Sequence, residues 1–165
     1  MAKQDAFTAE EWTLLRVAPS FVSVGISAAD PSGLFSSIKE AIAGANGMLQ
    51  TLNANSGLEL FAALAADRSI PGVPDVELLL GEGSHEQQMQ NFKAAALEHV
   101  KAAADLVARK SSAAETDAYR KMLVSVAQTA ANASKEGGFL GFGGVRVSDR
   151  EREFISAVST AVGLG

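Results

Sequence analysis

Asp30 and Glu40 are the carboxylates whose setting could serve a hard cation. Asp30 opens the turn Asp30-Pro31-Ser32-Gly33, and Glu40 follows in the next expected helix. Such a cation needs several oxygen ligands brought close together. Asp30 lies in a loop and Glu40 about two turns into a helix, so the plainer reading makes Asp30 a helix cap and Glu40 a solvent-facing side chain. No Asp-x-Asp-x-Asp-Gly loop occurs, which excludes an EF-hand. His85 and His99 are the only histidines. On one helix they stand about 21 Å apart at 1.5 Å per residue, too far to share a metal. The pair of Glu-x-x-His motifs that a ferritin-like di-iron bundle needs is absent.

The other unusual stretch is Gly137-Gly138-Phe139-Leu140-Gly141-Phe142-Gly143-Gly144-Val145-Arg146. Glycines let backbone N–H groups approach an anion, a helix start follows at Ser148, and Arg146 could add a fork of donors. The spacing matches neither the P-loop nor the dinucleotide fingerprint. Two other readings stand beside an anion site. Phe139, Leu140 and Phe142 could plug into the core as part of a tight loop, or they could form an exposed docking patch. No serine sits in a Gly-x-Ser-x-Gly setting, and Trp12 and Tyr119 read as core aromatics with a polar tip at the edge. The chain is therefore expected to be non-enzymatic and to carry no cofactor.

Composition narrows the classes further. The chain has 165 residues, enough for one domain with its own core. Cysteine is absent, which removes disulfides, thiolate metal sites and cysteine nucleophiles. Net charge is -5. Residues 1–80 carry 4 basic and 9 acidic groups, and residues 81–165 carry 10 of each. A chain without a concentrated basic surface is not expected to bind nucleic acid. No stretch reaches the roughly 20 apolar residues of a membrane span, and the polar start lacks a signal-peptide core. A cytoplasmic protein is expected.

These residues must be positioned by helices, because alanine, the best helix former, dominates the sequence. Five capping boxes mark helix starts: Thr8/Glu11, Ser56/Glu59, Ser84/Gln87, Ser112/Glu115 and Ser148/Glu151. In each, the hydroxyl accepts from one orphan N–H and the acid or amide reaches back to another. Apolar spacing then predicts helices over Ala9–Ala29, Leu34–Leu52, Leu58–Ala66, His85–Lys110, Ala113–Ala133 and Asp149–Val162. Pro19 should kink or break the first near Ala18. Residues 67–83, with two prolines and three glycines, read as the longest connection, with one or two helical turns at Asp75–Leu80. The fold expected is all-α: one compact bundle of about five to seven helices over residues 1–165, with residues 1–7 disordered. Trp12–Phe35 and Tyr119–Phe142 both read as an aromatic, an apolar helix and a glycine loop. A diverged helix–loop–helix duplication and chance similarity both explain that echo.

Ser27-Ala28-Ala29-Asp30-Pro31-Ser32-Gly33 with Glu40 downstream resembles the loop motif of TerB-like proteins, small helical proteins linked to tellurite resistance and stress response. Val147-Ser148-Asp149-Arg150-Glu151 enters the last helix in a similar style. Here Pro31 and Ser32 separate Asp30 from Gly33, and Glu136-Gly137 stands where Asp-Gly is the family pattern. The resemblance covers about a third of the chain. It implies a cation or partner surface at Asp30 and Glu40. An orphan family of bacterial helical proteins is the alternative. Two functional expectations follow. The first is an interaction or stress-response protein that binds a protein partner or a second copy of itself. The second is a small-ligand- or cation-binding bundle using the Asp30/Glu40 loop or the Gly137–Gly144 loop.

Overall fold

The computed structural model describes residues 3–29, 47–69, 79–134 and 147–165. All regular structure among them is helical. A 3-10 turn, Lys3–Ala6, leads into α1 (Ala9–Ala29). Next come α2, described over 47–54, and α3 (Glu59–Ala66). Three longer helices follow: α4 (His85–Lys110), α5 (Ala113–Ser134) and α6 (Asp149–Ala161). The all-α expectation holds. The expected turns at Asp75–Leu80 fall mostly outside the described residues.

Four of these helices, α1, α4, α5 and α6, each touch the other three. Their directions follow from individual contacts. Glu11 meets Lys110 and Phe21 meets both Phe92 and His99, so α1 and α4 are antiparallel. Only Ser111 and Ser112 separate α4 from α5, which turns the chain straight back. Phe154 lies on Gly25, and Gly163 lies beside Arg120, so α6 opposes both α1 and α5. The result is an up-down-up-down bundle, with residues 30–84 inserted between its first two helices.

The interior follows the 3.6-residue period. Leu15, Ala18, Val22 and Ile26 of α1 meet Ala96, Val100, Ala103 and Val107 of α4 and Met122, Leu123, Val126 and Ala130 of α5 in one cluster. Contrary to the sequence expectation, α1 is long and apolar enough, by length and composition, to cross a membrane, and 61% of that stretch is buried inside the protein. Its central place among three other helices accounts for the apolar composition. Gly25 serves the same packing. A Cβ there would sit 2.2 Å from the Phe154 ring, so any larger residue would force that ring to shift from its seat against α1.

Pro19 does not break α1. Proline has no N–H, so the carbonyl of Leu15 loses its partner within the helix. The Tyr119 hydroxyl donates to that carbonyl at 2.8 Å, wholly inside the core. Tyr119 was expected to reach the edge with its polar tip; it reaches a buried carbonyl instead. Burial pushes the phenol pKa far above its ordinary value of 10.0.

Of the five expected capping boxes three form in full, one forms by its hydroxyl arm alone and one does not form. Thr8/Glu11, Ser112/Glu115 and Ser148/Glu151 form both arms of the box. Ser84 Oγ accepts from the Gln87 N–H. The Ser56/Glu59 box does not form: Leu58 is the N-cap of α3, and no side chain of its own caps that start. Glu115 supplies the missing acceptor from α5. Its Oε1 accepts from the Leu60 N–H at 2.9 Å, while Oε2 accepts from Ser112 N–H and Oγ–H, each at 2.9 Å. One buried carboxylate thus closes two helix N-termini, where backbone donors and the helix dipole both favour a negative charge. At the far end, α6 finishes in a Schellman pair. Leu164 N–H donates to Ser159 O and Gly163 N–H to Thr160 O, with Gly163 at φ 78°.

Part of the N-terminal segment expected to be disordered has a defined place. Phe7 is buried against Trp12 with ring centroids 5.8 Å apart. Lys110 ties it down by donating to Ala6 O at 3.2 Å and pairing with Glu11 at 2.5 Å.

Candidate functional site

Every residue the sequence nominated for a site lies outside the described residues: Asp30, Glu40, Phe139, Leu140, Phe142 and Arg146. The two histidines are described, and the structure keeps them apart. His85 is exposed at the first turn of α4. His99 stacks on Phe21 with ring centroids 4.4 Å apart, and its Nδ1–H donates to Ala95 O at 3.0 Å. No group of three or more potential metal ligands converges among the described residues.

Among the described residues, the buried carboxylates Glu115 and Glu151 are side chains that could suggest acid–base chemistry. Both are committed to helix caps, Glu151 Oε2 accepting from the Ser148 N–H at 2.7 Å. A third carboxylate, Asp67, anchors a polar cluster where α3 ends. It accepts from Ser69 Oγ–H at 2.6 Å, Ser69 N–H at 2.9 Å and the Trp12 indole N–H at 2.8 Å, and pairs with Arg16 at 3.1 Å. These donors, the Ser69 hydroxyl first and the Trp12 indole next, pull its pKa from 3.8 to about 2. A carboxylate held that low is a poor proton carrier near neutral pH. It acts as a latch between α1 and the end of α3.

The latch has a pH signature. Because the folded pKa lies below the unfolded one, its stabilisation is complete above pH 3.8 and is lost as pH falls toward about 2. Ser69→Ala should move the Asp67 midpoint up toward 3.8, and Trp12→Phe should do so by less. A carboxyl-carbon NMR titration reads both. An Asp67 midpoint unmoved in both variants would show that the latch is not formed.

Among the described residues, a groove lies at the end of the bundle where α4 and α6 begin and α1 finishes. Its volume is about 610 Å³. Ala28 and Ala29 of α1 close its back. The walls are Met89, Ala94 and Leu97 of α4, and Phe154 and Ala157 of α6. His85, Glu86, Gln90 and Lys93 line one lip, and Arg150 and Glu153 the other. Each wall comes from one helical stripe. Residues 86, 89, 90, 93, 94 and 97 share a face of α4, and residues 150, 153, 154 and 157 share a face of α6. Its lining is about equally polar and apolar, with small and apolar side chains set between charged ones.

This groove was not visible in the sequence. Met89 stands three positions before the buried Phe92, as a core residue of α4 would, yet it is only half-buried at the groove. The trace that could have revealed it is a second stripe on each helix, mixing charges with small apolar residues. No protein-family model, curated protein or solved structure matches this chain.

Proposed function

We propose that this chain is a non-enzymatic interaction module, acting in the cytoplasm, whose docking surface for a protein partner is the groove between α1, α4 and α6. The observation that carries this reading is the groove's construction: among the described residues, three helices line a concavity in which Met89, Leu97 and small alanines sit between charged side chains. The polar networks elsewhere support the same reading. Asp67, Glu115, Glu151 and Tyr119 are engaged in holding helices together.

Filling the groove tests this. Ala94 is exposed and Ala157 half-buried, so tryptophan at either site blocks the groove from its wall with little burden on the core. The wild-type protein should give a saturable fluorescence rise with the apolar reporter anilinonaphthalene sulfonate. Ala94→Trp and Ala157→Trp should each weaken it by about tenfold or more, some 1.4 kcal/mol. Helical circular dichroism should be unchanged. A dye response that is absent in the wild type, or identical in both variants, would remove the groove from consideration.

A further inference from the structure

Resting on the reading of the groove as a docking surface, we infer that its occupant is an amphipathic α-helix of about three turns carrying both signs of charge. Three features of the groove select that occupant. The first is its walls. Helices α4 and α6 both begin at this end and run alongside one another. Each presents side chains at three- and four-residue spacing, the ridge-and-groove pattern that receives another helix. The second is the small and apolar part of its lining. Ala28, Ala94 and Ala157 leave room for a close backbone, while the half-buried Met89 and Leu97 supply the apolar contact. Methionine adapts its shape to the side chain it meets.

The third feature is the charge on the lips. One lip carries Glu86 and Lys93, and the other Arg150 and Glu153. Each wall therefore offers one acid and one base. An occupant of a single sign meets as much repulsion as attraction. A helix flanked by both signs can pair with all four, which is how charged flanks choose partners in helix–helix recognition. The length also fits. From His85 to Leu97 the wall spans about 18 Å, the rise of about 12 helical residues.

The test uses the full-length protein and three lactam-bridged peptides of about 12 residues, bridged because free helices of this length are marginal in water. All three share one leucine–alanine face. Their flanks carry alternating lysine and glutamate, lysine only, or glutamate only. Fluorescence anisotropy should show saturable binding of the mixed-sign peptide, about tenfold tighter than either single-sign peptide. Ala94→Trp should abolish it, and Lys93→Glu should weaken the mixed-sign peptide while improving the lysine-only one. Equal binding of all three peptides, or mixed-sign binding that survives Ala94→Trp, would overturn the inference. Should no peptide bind while the apolar dye still does, the helical occupant is wrong and the groove remains a binding surface. Failure of both would remove the docking reading as well.

Discussion

Replacing Glu115 with alanine is expected to lower stability by about 3 kcal/mol or more, because two helix-start N–H groups lose a charged acceptor and hydrogen bonds to a charged group contribute roughly 1.5–3 kcal/mol each. The carboxylate is 4% exposed and accepts from Ser112 N–H, Ser112 Oγ–H and Leu60 N–H. Two of those donors are backbone N–H groups at helix starts, and without Glu115 neither has an acceptor in its own helix. The natural comparison is Thr8→Ala, which removes an ordinary exposed capping box and should cost about 1 kcal/mol. Glu115→Gln should fall between. One amide oxygen can still accept, but its NH₂ group would face a donor. Urea unfolding of the three variants measures the ordering. If Glu115→Ala were no more damaging than Thr8→Ala, the carboxylate would not be bridging two helices.

The second large effect concerns Tyr119 and Pro19, which form one unit although 100 positions separate them. Tyr119→Phe should destabilise the fold by about 1–3 kcal/mol, the usual range for orphaning a buried hydrogen-bonding group. The decisive measurement is the double-mutant cycle. Pro19→Ala restores an N–H at position 19, four residues after Leu15, and so returns the native helical donor to the Leu15 carbonyl. In that background Tyr119→Phe should be milder, with a coupling energy on the order of 1 kcal/mol. Strict additivity would mean that the hydroxyl is not compensating for the proline. A spectroscopic check comes with it, since Tyr119 is the one tyrosine in the chain. Its folded pKa is raised, so the stability it contributes is complete below pH 10 and is lost as pH rises above that value. Phenolate absorbance should therefore appear together with unfolding rather than before it.

The architecture was legible where its causes are local. Alanine content, apolar period and capping boxes placed the starts of α1, α4, α5 and α6 at Ala9, His85, Ala113 and Asp149, where the structure has them. What could not be read was anything decided by residues distant in sequence. Ser56 and Glu59 have the spacing of a capping box, but the acceptor for α3 arrives from Glu115, 55 residues from the Leu60 N–H it serves. Pro19 signalled a kink or break; α1 runs on through it, and the carbonyl that the proline leaves without a helical donor is met by a hydroxyl from another helix. The groove was hidden for the same reason. Its lining is ordinary on each helix taken alone, and becomes a surface only when α4 and α6 stand side by side. The positions chosen for their local chemistry, Asp30, Glu40 and the Phe139–Arg146 stretch, lie outside the described residues.

The two-residue link between α4 and α5 bears on the order in which the molecule assembles. These helices can pair with almost no loop to close, whereas Leu15 must find Tyr119, and Ala6 must find Lys110, each across 104 positions. Closing so long a loop is entropically unfavourable and is rewarded only once its contacts form. The α4–α5 hairpin is thus the natural nucleus, and α1 is the late arrival. Core truncations at Val100 or Val126 should slow folding, while those at Val22 or Ile26 should chiefly speed unfolding. Stopped-flow kinetics would show the reverse if α1 organised the nucleus. By this order the groove, whose back wall is the end of α1, is completed among the last features of the fold. A docked partner would then hold closed the part of the bundle that is joined last and opens first.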